Sequence, residues 1–167
     1  MALSSLEDVL HEQVKDLLSA EKQLVQALPK VSAAASAPQL KKAIDEHLEE
    51  TRGHVRRLEE VADQLGIQGQ TTCKAMQGLI AEGEEVVRQP GDAAAKDAAL
   101  IGAAQRVEHY EIAAYGTAKT LARELDHSDA QELFAQTLDE ESAADSLLTK
   151  IATGGMLRSG VNQKAAR

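Results

Sequence analysis

Apolar residues recur along the chain at alternating spacings of three and four. The first run is Leu10, Val14, Leu17, Leu24, Leu28 and Val31. This is the stripe of a helix that lays one face on a bundle core. Ser4 with Glu7 reads as a capping box ahead of it, and Pro29 should kink or end it. The stretch 32–39 predicts a turn, with Ser36 and Pro38 opening a second helix that runs to Leu65 and stops at Gly66. After a loop over 66–72, a short amphipathic piece spans roughly 73–88, carrying Met76, Leu79, Ile80 and Val87. Residues 89–92 form a turn in which Asp92 can cap a third long helix reaching about Leu125. A tight turn at 126–131, read as a capping box of Ser128 and Gln131, leads into a fourth long helix that ends near Thr153. Residues 1–153 thus make one helical bundle, and 154–167, polar, Gly-containing and basic, a flexible tail.

The connections arrange these helices. Short links join the first to the second and the third to the fourth, which makes two antiparallel hairpins. The link between hairpins is long and holds the short helix, as in a bundle with one long crossover. Other all-α topologies satisfy the periodicity equally well.

Each seam is interrupted by acid near its middle. In the first helix Glu21 stands between Leu17 and Leu24. The second runs Leu40, Ile44, His47, Glu50, His54, Leu58, Val61 and Leu65. The third runs Ala104, Glu108, Glu111, Tyr115, Ala118, Ala122 and Leu125, and the fourth Phe134, Leu138, Glu141, Asp145, Leu148 and Ala152. The separation from 21 to 50 nearly equals that from 111 to 141, which sets both hairpins' carboxylates at one level. A buried lone carboxylate costs several kcal/mol or takes up a proton. Six in one bundle require compensating cations, and no Lys or Arg occupies these seams. Hard carboxylate oxygens with imidazole suit iron or manganese. His47 fits either as a partner of a ligand or as an ordinary core histidine. His11, His109 and His127 are off the seams and belong to the surface, as do Glu49, Glu59 and Glu60. Cys73 reads as a small hydrophobe, and Tyr110 and Tyr115 as packing groups or hydrogen-bond partners of the site.

Composition narrows the picture. The chain has 167 residues, 2% aromatics, three Pro and a single cysteine. Few aromatic and β-branched residues argue against a sheet. A net charge of −9 disfavours nucleic acid and anionic lipid as partners. One cysteine excludes an internal disulfide and fits a reducing, cytoplasmic setting. The N-terminal stretch has no basic region ahead of an apolar one, so no signal peptide is expected. No apolar run approaches the ~20 residues of a membrane span.

Five segments resemble the YciE/YciF-type ferritin-like proteins of bacteria: SAEKQLVQALPKV (19–31), HLEETRGHVRRLE (47–59), CKAMQGLI (73–80), AAQRVEHYEIAAYGTA (103–118) and LDEESAADSLL (138–148). The resemblance covers roughly residues 4–153. It implies a ferritin-like four-helix bundle, a homodimer, an association with stress responses and a site for two iron ions, with manganese as the alternative. The ligands it implies are Glu21, Glu50, His54, Glu108, Glu111, Glu141 and Asp145; Glu50 and Glu111 are expected to bridge, because each sits mid-helix on the inner seam and the bundle's pseudo-symmetry pairs them. Two departures from the broader ferritin pattern stand out. Glu50 and His54 are four apart, and Asp145 occupies a place where many di-iron proteins carry a second His.

Three functions follow as expectations. The first is a dimetal protein that binds Fe(II) and oxidises it with O2 or peroxide. The second is a manganese-catalase-like peroxide dismutase. The third is a structural stress protein with a vestigial site. Fold alone does not choose among them.

Overall fold

A computed structural model describes residues 3–155 and 158–166 of the chain. The elements are α1 (Leu6–Ala34), α2 (Pro38–Gln64), α3 (Lys74–Arg88), α4 (Ala93–Glu124) and α5 (Ser128–Thr153). After them come two-residue strands β1 (Gly154–Gly155) and β2 (Arg158–Ser159), paired antiparallel, and α6 (Val161–Ala165). No helix among the described residues is long and apolar enough to cross a membrane.

The expected hairpins form as α1–α2 and α4–α5. The α1–α2 turn meets the start of α4, where the Asp97 carboxylate accepts the backbone N–H groups of Ser36 (2.8 Å) and Ala37 (2.7 Å). The α4–α5 turn meets the start of α1, where His127 Nε2 lies 2.9 Å from Glu7 Oε1. The two turns therefore sit at opposite ends, which makes α1 antiparallel to α4 and α2 antiparallel to α5. Helix α3 lies in the crossover between the hairpins. This is the ferritin-like all-α bundle.

Several helix ends differ from expectation. Helix α1 is capped by Ser5 with Asp8, not by Ser4 with Glu7: Asp8 N–H donates to Ser5 Oγ, and Asp8 accepts from Ser5 N–H. Glu7 is thereby released to meet His127. Pro29 removes one amide donor, yet α1 continues to Ala34, because Ser32 beyond it is still buried against the bundle. The capping box at Ser128 does not form, since α5 already begins there with His127 in the cap position. Gly66 and Gly154 carry positive φ at the helix ends, as expected, and Asp92 caps α4 through the Ala94 and Ala95 amides.

Two apolar clusters fill the bundle. One, at the α1–α2 turn end, gathers Leu24, Leu28, Leu40, Ile44, Leu100 and Leu148 with Met76 of α3. The other gathers Leu10, Leu17, Leu58, Val61, Tyr115 and Phe134. The polar layer lies between them. The apolar face of α3 packs on its own bundle: Met76 is fully buried, and Leu79, Ile80 and Val87 are packed partly buried against the first cluster. Cys73 caps α3, its Sγ accepting from Met76 N–H, and stands 2.9 Å from the Tyr110 hydroxyl. Tyr110 in turn donates to Asp16.

The segment expected to be a flexible tail is partly built into the fold. Val161 is buried in the first cluster. Gly160 lies so close to the backbone of residues 152–154 that a Cβ there would stand 2.3 Å from Ala152 O. One Val in a polar stretch is too short a signal for periodicity to register. Residues 156, 157 and 167 of that segment lie outside the described ones.

Asp97 is buried and holds two amides that α2 cannot cap for itself. Asp97→Ala is expected to lower stability by about 2–3 kcal/mol, the range for a hydrogen-bonded charged group left without a replacement. Urea midpoints measure this, and a loss below ~0.5 kcal/mol would mean that water caps the turn as well as Asp97 does.

Candidate metal centre

Each long helix contributes to the polar layer because its stripe passes through the core without a break in phase. Glu21, His54, Glu111 and Glu141 are fully buried, and Glu108 and His47 nearly so. Their ligand atoms fall into two sets, each within 4.8 Å of one another: His47, Glu108, Glu111 and Glu141 in one, and Glu21, His54 and Glu141 in the other. Glu141 is common to both.

These groups are close without being hydrogen-bonded to one another. His54 Nδ1 is 2.9 Å from Glu141 Oε1 and 3.3 Å from Glu21 Oε1, yet neither contact is aligned as a hydrogen bond. Both oxygens of Glu111 and of Glu141, Oε2 of Glu21 and of Glu108, and both ring nitrogens of His47 have no hydrogen-bond partner. Buried polar atoms are nearly always satisfied. So many orphans converging on one place, with no lysine or arginine among them, describe donors aimed at a common centre. The donor set, four carboxylates and two imidazoles, suits a pair of divalent iron or manganese ions.

The surrounding contacts orient this set. Tyr115 donates to Glu21 Oε1 at 2.5 Å, which leaves Oε2 for the centre. His54 Nε2 lies 2.9 Å from Glu140 Oε2. Arg57 grips the same carboxylate with both guanidinium nitrogens, at 2.6 and 2.8 Å, and Thr137 Oγ1 at 2.9 Å. This clamp fixes the ring of His54 with Nδ1 inward. Arg57 and Glu140 are outside the expected set. The spacing gives only half of the arrangement: Arg57 lies three residues beyond His54, so both project to one side of α2, but the facing helix decides which carboxylate they meet.

Two expected ligands are placed differently. Glu50 is on the rim, its side chain 47% exposed, with Oε2 3.6 Å from His47 Nδ1. The α2 seam runs His47, Thr51, His54, Leu58 instead, all buried, which turns Glu50 roughly 70° from the core direction. Spacings of three then four, or four then three, both join His47 to His54, and packing selects the second. Asp145 lies on the outer α4–α5 groove, where Oδ1 accepts from Gln105 Nε2 at 2.9 Å and meets His109 Nε2 at 3.5 Å. His47, by contrast, is inside: Nε2 is 3.5 Å from Glu108 Oε1 and 4.0 Å from Glu141 Oε2. His109 is exposed, and His11 and His127 are partly so.

The chain matches the family described as "Domain of unknown function (DUF892)" over residues 5–166. It belongs to this family. The DUF892 chain is similar to Protein YciF of Escherichia coli (strain K12), with 44% identity over 99% of this chain and 98% of that one. Its fold superposes on the crystal structure of the E. coli stress protein YciF with a TM-score of 0.85, at 45% identity, covering 88% of this chain and 94% of that one. YcfI of Rhodopseudomonas palustris gives 0.86 at 38% identity, over 90% and 96%. A Xanthomonas campestris protein at 18% identity shares the fold with a TM-score of 0.71, over 87% and 89%.

Electrostatics within the DUF892 site follow from burial. Burial raises Glu111 and Glu108 well above the usual carboxylate range; for Glu111 the neighbouring carboxylates add to it, and for Glu108 His47 opposes it. Burial also raises Glu21, against the pull of His54. Burial disfavours charge on the two histidines, but the carboxylates outweigh it. Glu108 and Glu50 push His47 up to about 9, and Glu141 and Glu21 push His54 up to about 10. Glu141 is held low despite its burial, because both histidines face it.

These shifts set the pH response of the chelated protein. Raised carboxylates and raised histidines all make the folded chain hold more protons than the unfolded chain, so their stabilisation is lost as pH rises. For the histidines this loss runs from about 6.5 to about 9–10. Glu141 acts oppositely and loses its contribution as pH falls below 4.5. Urea midpoints of chelated protein are therefore expected to rise from pH 9 to pH 6 and to fall again in stronger acid. A midpoint that climbs steadily toward pH 9 would contradict this electrostatic balance.

Proposed function

We propose that the protein is a ferritin-like dimetal carboxylate protein, holding two iron ions, with manganese as the alternative metal. The observation that carries this reading is the set of buried carboxylate oxygens without hydrogen-bond partners on α1, α4 and α5, with imidazoles from α2 beside them. Glu21, His47, His54, Glu108, Glu111 and Glu141 would hold the ions, with Glu141 serving both. Four carboxylates would then match the four positive charges of two divalent ions, and the histidines would bind as neutral imidazoles. When bound, such ions supply redox chemistry toward O2 or peroxide, and Fe(II) oxidation is the activity this donor set favours. The chain's own part is to exclude water, through the apolar clusters on both sides, and to hold His54 in one orientation through Glu140 and Arg57. A role in stress is supported by the similarity to a protein described as a stress protein.

Anaerobic Fe(II) titration is expected to saturate near two ions per chain. Glu141→Ala should abolish both, and His54→Ala should weaken one far more than the other. Metal binding should release protons, because both histidines are charged without it. Circular dichroism checks that the helices persist, and a folded wild-type chain that binds no metal would sink the proposal.

A homodimer is proposed on the family resemblance. Sedimentation should give twice the 17.8 kDa chain mass at micromolar concentration, and a monomer there would refute it.

A further inference from the structure

We propose that the groove between α2 and α5 is the route by which a divalent cation reaches the buried site, with Glu50 as the transfer ligand that hands the ion to His47. The inference rests on the metal-centre reading above.

The groove has a volume of about 1070 Å³ and ends inward at His47 and Glu108. It exists because small side chains line it: Ala43 from α2, Ala104 from α4, and Ala143 and Ala144 from α5. Its rim carries Asp45, Glu46, Glu49 and Glu50 against Lys41 and Lys42. Excess negative charge over apolar walls focuses the field into a cleft and draws cations toward it.

Most of the rim acids are already engaged. Glu46 pairs with Lys42, Glu49 with Arg52, and Asp45 accepts from Ser32 Oγ. Glu50 differs, since its carboxylate reaches inward to His47. That ring has a buried side chain and no hydrogen-bond partner at either nitrogen. Nδ1 faces Glu50 and Nε2 faces Glu108, so the imidazole joins the wet rim to the dry carboxylates. Two neighbouring approaches are tighter. Farther along the α2–α5 interface, the Arg57–Glu140–Thr137 contacts close the gap. On the α3 side lies a crevice of about 60 Å³, walled by residues such as Leu24, Leu79 and Val107.

Anaerobic stopped-flow loading of the full chain with Co(II), followed by its absorbance, tests the route. Glu50→Gln is expected to slow association by about tenfold while equilibrium affinity stays within about threefold. Ala144→Phe, which fills the groove, should slow loading similarly, and Glu59→Gln on the outer face should not. Elemental analysis gives the final stoichiometry, and circular dichroism checks folding. If Ala144→Phe does not fold, the exposed Glu50→Gln decides. Wild-type loading rates in Glu50→Gln would overturn the proposal, as would loss of a bound ion at equilibrium, which would make Glu50 a resident ligand. Wild-type protein that loads normally while the variants show no rate effect refutes the route alone. Wild-type protein that takes up no Co(II) refutes the metal centre with it.

Discussion

The structure turns on the cost of taking four carboxylates out of water in the middle of a helical bundle. Each buried carboxylate loses several kcal/mol of hydration, and Glu21, Glu108, Glu111 and Glu141 lose it together, within reach of one another. Two imidazoles, charged in the absence of metal, offset part of this cost, and burial favours the protonated form of Glu108 and Glu111. Both oxygens of Glu111 and of Glu141 still lack hydrogen-bond partners. Everything else in the fold can be seen as the frame that holds this layer closed.

That frame has two halves. Apolar clusters above and below the layer supply the burial that stabilises the bundle, at about 25 cal/mol per Å² of apolar surface. They also keep water from relaxing the layer. Asp97 and the Glu7–His127 contact tie the hairpin turns to the opposing helices, so the four stripes stay at a fixed height. Small shifts along a helix axis would move a carboxylate by 1.5 Å per residue and take it out of the shared centre.

The polar contacts around the layer are unequal in kind. Glu140 is matched by Arg57 and His54 and needs no ion. Glu141, the next residue, has both oxygens free. Two adjacent glutamates on one helix thus have different parts, one orienting a histidine and one pointing into the centre. Their roles are set by about 100° of helix rotation.

The seam spacings alone were enough to place five helices, their hairpins and the crossover, because a 3.6-residue period is a local property of the chain. They also marked Glu21, His54, Glu108, Glu111 and Glu141 as inward, since each falls on the apolar stripe of its helix. Tertiary packing decided what the period leaves degenerate. His47 joins His54 equally well through Glu50 or Thr51, and only contact with α5 and α4 selects Thr51 and turns Glu50 to the rim. Asp145 follows the α5 stripe within one step, yet Gln105 and His109 on α4 draw it to the outer groove. Glu140 and Arg57 meet across 83 residues of sequence, and the burial of Val161 depends on a helix that periodicity could not register. These are relations between elements, and no local pattern encodes them.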